Sequence, residues 1–149
     1  TAKPVLGINP AEKLLTNGIR GSLKYSDFEW CSWTNNDSVS FTIDLLKPEV
    51  LNTLTLGCIT NNGMAIHKPA SVRVEVSDDN SKFREAVVQS FTSEEIFREG
   101  NFIENLSLKL GGTQARYVRV TAKGPGVCPA SHVRPGQTSR IFFDEVMLE

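Results

Sequence analysis

Residues 39–45 read Val-Ser-Phe-Thr-Ile-Asp-Leu, with Val39, Phe41, Ile43 and Leu45 alternating against Ser40, Thr42 and Asp44. A period of two sends successive side chains to opposite faces of a strand, one apolar and one wet. The same alternation returns in Val72-Arg73-Val74-Glu75-Val76, in Leu106, Leu108 and Leu110, and in Val118-Arg119-Val120-Thr121. Residues 141–148 form a near-continuous apolar run broken by Asp144 and Glu145, and residues 54–59 are apolar with Gly57 among them. A glycine inside a strand marks a bulge or the close approach of another group. Between these runs stand Lys47-Pro48, Asn61-Asn62-Gly63, Asp78-Asp79-Asn80, Gly111-Gly112 and Gly124-Pro125-Gly126, each read as a turn. Helix is expected only briefly, over 93–98 and over 10–15. Short strands joined by Gly, Pro and Asn turns predict an all-β fold, a two-sheet antiparallel β-sandwich.

Composition narrows the function. The chain has 149 residues, 16 basic and 17 acidic side chains and a net charge of −1, with 40% hydrophobic residues. That length suits one domain, 1–149, with a core of its own. A balanced charge argues against binding nucleic acid, which needs a basic surface. No run of about 18 apolar residues exists, so no membrane insertion is expected. Cys31, Cys58 and Cys128 are odd in number, so at least one thiol is unpaired, and all three read as buried thiols. Two histidines and three cysteines leave little material for a zinc site or a Cys/His catalytic centre.

Several segments in order carry a resemblance. They are Leu15-Thr16-Asn17-Gly18 through Ser22 with Trp30 and Trp33, then Ile43-Asp44-Leu45. Pro69 through Val72, Val74, Val76, Ser77, Asp78 and Asp79 to Phe83 follows, then Ala115-Arg116-Tyr117-Val118-Arg119-Val120 and Phe143-Asp144-Glu145-Val146. Over about residues 12–149 the chain resembles the discoidin, or coagulation factor V/VIII C-type, superfamily, and within it family 32 carbohydrate-binding modules. Gly126-Val127-Cys128-Pro129, His132 and the Phe143-Asp144-Glu145 ending are similar to C-terminal modules of bacterial family 20 β-hexosaminidases, the chitobiases. The resemblance implies a jelly-roll, galactose-binding-domain-like sandwich cut from a larger glycosidase. The implied setting is bacterial: periplasmic, outer-membrane-attached or secreted.

The resemblance also implies one structural Ca²⁺. Carried over position by position, Asn17 stands where an aspartate is common, Ser22 supplies the hydroxyl and Glu145 the C-terminal carboxylate. Carbonyls near Leu14 and Arg20 complete the shell, in keeping with calcium's preference for six to eight hard oxygens. The amide of Asn17 removes one negative charge. The alternative is a metal-free loop in which Asn17 caps local backbone amides and Glu145 pairs with Arg20.

Sugar recognition needs an apolar platform for a pyranose face and planar polar groups for its hydroxyls. Loops at one end of a sandwich would supply them. The expected sugar-binding residues are Tyr25, Trp33 and Asn36 from the 25–37 loop, His67 from the 61–68 loop, and His132 and Arg134 from the 124–140 loop. Trp30 reads as core. Related hexosaminidase modules carry aromatic residues in the last loop, where this chain has Ser131 and Arg140. No pattern of an activated nucleophile, phosphate loop or H-E-x-x-H helix is present. The chain is therefore expected to be non-catalytic, with a glycan and an adjacent catalytic domain of the same polypeptide as partners. Two alternatives remain open: a structural domain that packs on the catalytic domain without binding sugar, and an adhesion module.

Overall fold

A computed structural model describes residues 14–33 and 38–149. Six strands build it: β1 (Cys31–Trp33), β2 (Ser38–Asn61), β3 (Ser71–Ser77), β4 (Arg84–Ser90), β5 (Asn101–Lys123) and β6 (Ile141–Leu148). A short helix, α1 (Ser93–Ile96), and a 3₁₀ turn (Asn62–Met64) accompany the strands. The strand order is β1-β6-β2-β5-β3-β4, antiparallel throughout.

Two of the expected turns are bends inside long strands. At Lys47-Pro48 the β2–β5 ladder slips from Asp44↔Tyr117 to Glu49↔Ala115, so that residues 45–48 stand opposite Arg116 alone. Leu46 takes a φ of 70° there, and its N–H donates to the Asp44 carboxylate. Pro48 has no N–H to give the ladder. Gly111 and Gly112, at φ 63° and 78°, belong to the second slip, where Asn52 faces residues 110–112. Both sites adopt turn-like conformations, but pairing resumes beyond them, so the chain bends without reversing.

These bends fold the paired strands over on themselves into two layers. β4, β3, the last part of β5 and residues 38–44 of β2 form one layer; residues 101–109 of β5, residues 53–61 of β2, β6 and β1 form the other. Val39, Val72, Val74, Val76, Val118 and Val120 of the first layer share one buried cluster with Leu54, Leu56, Leu106, Leu108 and Phe143 of the second. Burial of each such side chain is worth about 1.5–3 kcal/mol. β6 is buried on both faces, which explains its unbroken apolar run. Phe143 enters the main core, while Phe142 turns out to a second cluster with Trp30, Ile59 and Ile66.

The helical expectation over 93–98 shortens to α1, started by a reciprocal cap: Glu95 N–H donates to Thr92 Oγ1 at 3.2 Å and Thr92 N–H to Glu95 Oε2 at 2.7 Å. Residues 10–13 of the other helical expectation lie outside the described residues. β4 carries no clear alternation and is half exposed, an edge strand that periodicity did not reveal. All three cysteines are buried free thiols. Burial pushes the Cys31 thiol up to about 12. No helix among the described residues is long and apolar enough to cross a membrane.

Candidate functional site

The layer ends that hold Ser38, Lys123 and Ser71 meet those that hold Asn61, Asn101 and Ile141. Residues 65–70 bridge them: Arg140 N–H donates to the Ala65 carbonyl at 2.9 Å, His67 N–H to the Arg140 carbonyl at 3.1 Å, and Ala70 N–H to the Lys123 carbonyl at 2.9 Å. The loops at 62–70, 91–100 and 124–140 therefore crowd one end of the sandwich. This is the end where the sequence placed a sugar site.

Its centre is the 3₁₀ turn. Asn61 Oδ1 accepts the Met64 N–H, and Asn62 N–H reaches the Gly100 carbonyl. Arg134 donates through Nε to the Gly63 carbonyl, and Arg140 through Nη2 to the Met64 carbonyl at 3.2 Å. Two guanidinium groups thus converge on one partly exposed turn. Arg140 also lies 5.5 Å over the Phe142 ring, and the half-buried Tyr25 meets the same ring edge-on at 6.2 Å. Arg140 Nε and Asn62 Oδ1 are buried without a hydrogen-bond partner.

The other expected sugar residues fare differently. Trp33 is a core residue, 5.6 Å from the Phe143 ring, and offers no face for stacking. Its place at the end of β1 puts the indole between the layers. His67 is fully buried and His132 only 9% exposed, their Nε2 atoms 3.0 Å apart. Their first function is with each other. Burial, and then the neighbouring His132, push the His67 imidazole down to about 4, with the Ile96 carbonyl opposing. Asn36 lies outside the described residues. Trp30 is core as expected, its Nε1–H donated to the Ser22 carbonyl at 2.9 Å.

The 14–22 segment is clasped to β6. Val146 N–H donates to the Leu15 carbonyl, and Leu14 is buried in the main core. Asn17 Oδ1 accepts from Ile19 N–H at 2.8 Å, Ser22 Oγ from Lys24 N–H at 3.2 Å, and Glu145 Oε2 from Gly18 N–H at 2.8 Å. Burial holds the Glu145 carboxyl above the usual carboxylate range, against the Gly18 hydrogen bond. The three side-chain oxygens named for calcium thus each accept an N–H group, and together they make a hydrogen-bonded clasp.

The Arg20–Glu145 pair of the metal-free alternative is replaced by another. Arg20 Nε donates to Asp144 Oδ2 at 2.7 Å, and Asp144 is wholly buried, also accepting from Gly21 N–H at 2.9 Å. Strand alternation points Asp144 under the loop, and Gly57 makes room for it. A Cβ on Gly57 would lie 1.9 Å from Asp144 Oδ1 and 2.5 Å from Arg20 Nη2. This is the close approach that a strand glycine announces.

Two shallow depressions lie elsewhere. The larger, about 600 Å³, is lined by Pro48, Asp78, Arg84, Thr113 and Gln114 beside the bends. The other, about 380 Å³, crosses the outer face of the first layer between Arg73, Val88 and Lys123. Neither contains an aromatic side chain, so neither supplies a stacking platform.

The family model described as F5/8 type C domain matches residues 7–134. The chain belongs to the F5/8 type C domain family. Solved structures agree on the fold of this domain. The C-terminal domain of a chitobiase from Bacteroides fragilis is 18% identical, with TM-score 0.52, covering 93% of this chain and 78% of that one. A family 32 carbohydrate-binding module of the enzyme AlyQ, in complex with 4,5-unsaturated mannuronic acid, is 20% identical, with TM-score 0.55 and coverages of 89% and 83%. A further module of that family from Clostridium perfringens, in complex with GalNAc-β-1,3-galactose, is 16% identical, with TM-score 0.51 and coverages of 80% and 73%. No curated protein sequence matches the chain.

Proposed function

We propose that this F5/8 type C domain is a non-catalytic carbohydrate-binding accessory module of a bacterial β-hexosaminidase or chitobiase-like enzyme. It reads terminal galactose or N-acetylhexosamine residues and works at the cell surface, in the periplasm or after secretion. The observation that carries this reading is the convergence of Arg134 and Arg140 on the 62–64 turn beside the half-buried Tyr25. A guanidinium presents parallel N–H donors that match neighbouring sugar hydroxyls, and a phenol ring covers the C–H face of a pyranose. The sugar-bound family 32 neighbours and the chitobiase domain support the ligand class and the parent enzyme. Such a module holds its enzyme on a glycan and raises local concentration without chemistry of its own.

Titration calorimetry with galactose, N-acetylglucosamine and N-acetylgalactosamine is expected to give a Kd of about 1 mM for at least one sugar, near −4 kcal/mol. Arg134→Ala and Tyr25→Ala are expected to weaken it tenfold or more, with the thermal midpoint moved by less than about 4 °C. No heat with any of the three, from folded protein, counts against the sugar reading.

A second reading, docking on the adjacent catalytic domain, is favoured by Ile19, Leu23 and Phe28. These three apolar side chains stand 51%, 51% and 70% exposed on the 18–28 loop.

A further inference from the structure

The same end of the sandwich holds a constellation that sugar binding does not use. His67, Cys128 and His132 are buried, and their ligand atoms all lie within 4.8 Å of one another. The backbone braces each one. Cys128 N–H donates to the Gln137 carbonyl at 2.8 Å, and its own carbonyl accepts from Gly136 N–H at 2.9 Å. His132 N–H donates to the Pro129 carbonyl at 3.0 Å, and His67 N–H to Arg140 as above. The Phe97 ring meets the two imidazoles edge-on at 5.1 and 6.1 Å and closes one side with carbon. Ser139 Oγ lies 3.4 Å from Cys128 Sγ.

We propose that His67, His132 and Cys128 form a binding site for one thiophilic d¹⁰ metal ion, of the class of Zn²⁺ and Cu⁺. The spacing suits it. Two imidazole nitrogens on a tetrahedral zinc stand roughly 3.3 Å apart, from Zn–N bonds of about 2.0–2.1 Å, and the Nε2 atoms are already at 3.0 Å. One thiolate and two neutral imidazoles are a soft donor set, which selects zinc or cuprous copper over calcium or magnesium. His67 Nδ1 faces the Ile96 carbonyl without closing a full hydrogen bond, the kind of partner that orients a ligating imidazole.

The proton balance is defined. His132 Nδ1 accepts the Arg134 N–H at 2.9 Å, so the neutral ring carries its proton on Nε2 and donates it to His67. Coordination moves that proton to Nδ1 and releases the Arg134 contact, while the Cys128 thiol gives its proton to water. One proton leaves per ion bound. The ion then ties the 124–140 loop to the 65–70 bridge through three bonds, in place of the single imidazole–imidazole hydrogen bond and in addition to the backbone bonds at Arg140.

The test is a Co²⁺ titration of the reduced chain, with cobalt as the spectroscopic stand-in for zinc. A parallel Cu⁺ arm under reductant is read by native mass spectrometry. The expected result is thiolate-to-cobalt charge-transfer absorption that saturates at one ion per chain and is bleached by one equivalent of Zn²⁺. It should vanish in Cys128→Ser and persist in Cys31→Ala. Zinc should raise the thermal midpoint by about 5 °C or more. A 1:1 cuprous complex that is lost in Cys128→Ser, without a cobalt band, supports the site with copper as its ion. Neither metal bound at one per chain, or an undiminished band in Cys128→Ser, overturns the proposal. Both readings come from wild-type protein first, so a variant that fails to fold does not decide the matter.

Discussion

Gly57→Ala is expected to lower the stability of the domain by about 3 kcal/mol, the cost of leaving the buried Asp144 carboxylate without its half-exposed partner Arg20. The effect does not arise from backbone strain, because Gly57 is not among the positive-φ glycines. It arises from space. The new Cβ would sit 1.9 Å from Asp144 Oδ1 and 2.5 Å from Arg20 Nη2, where no side chain fits without displacing the carboxylate. Asp144 is fully buried and spends its oxygens on Arg20, Gly21 N–H and the Glu145 N–H. Moving it strands a charge and loosens the 14–22 clasp together with the Trp30 cluster behind it. Gly111→Ala is the comparison: φ is 63° but nothing lies within 4 Å, so only the left-handed conformation is penalised, by roughly 1 kcal/mol. Urea unfolding of both variants measures the contrast. A Gly57→Ala loss below 1 kcal/mol would remove the buried Asp144 from the account.

Acid is expected to act through His67. In metal-free protein its folded-state value is pushed down to about 4 from 6.5, by burial first and by His132 second. The unfolded chain therefore takes the proton more readily than the folded one. Stability from this group is complete above pH 6.5 and drains away as pH falls toward 4, by about 2 kcal/mol at pH 4.5. Protonation puts an N–H on His67 Nε2, facing the N–H already held by His132 Nε2. Cys128, Phe97 and the Ile96 carbonyl complete the surroundings, and no carboxylate is among them. Other carboxylates, such as Asp79 and Glu75, are held below their usual range by hydrogen bonds and lose stability at lower pH, so the readout is a difference. Wild type should lose about 2 kcal/mol more than His67→Gln between pH 7 and 4.5 when both are unfolded in urea. Parallel losses would mean that the imidazole is not sealed in.

Much of this architecture was legible because burial writes itself as alternation. Residues 39–45 and 72–76 face the core on one side only, so their pattern named both the strand and its face. Where both faces are buried, as in β6, the alternation disappears and the choice between Asp144 and Glu145 as the inward carboxylate cannot be read. Resemblance assigned the special role to Glu145, while the structure gives the ion pair with Arg20 to Asp144 and buries both carboxylates. The bends at Leu46 and Gly111 show a different limit. Local signals correctly announced unusual φ values there, but whether a chain reverses or merely bends depends on pairing that resumes several residues later. Trp33 and Tyr25 were equivalent as aromatic loop candidates; a three-residue strand paired to β6 drew Trp33 into the core and left Tyr25 at the rim. Cys128 stands four residues from His132 and was read only as a buried thiol, and Phe97 gave no signal. Their meeting with His67 depends on long-range loop packing that no local pattern announces.

The central claim, that the loop end around the 62–64 turn receives a sugar, is tested most directly by heteronuclear NMR. Backbone and side-chain N–H signals would be followed while galactose, N-acetylglucosamine or N-acetylgalactosamine is added to tens of millimolar. Saturable shifts are expected, confined to residues near Tyr25, the 62–64 turn, Arg134 and Arg140, including the arginine Nε–H signals. Shifts centred on another surface, or none with any of these sugars, would contradict it.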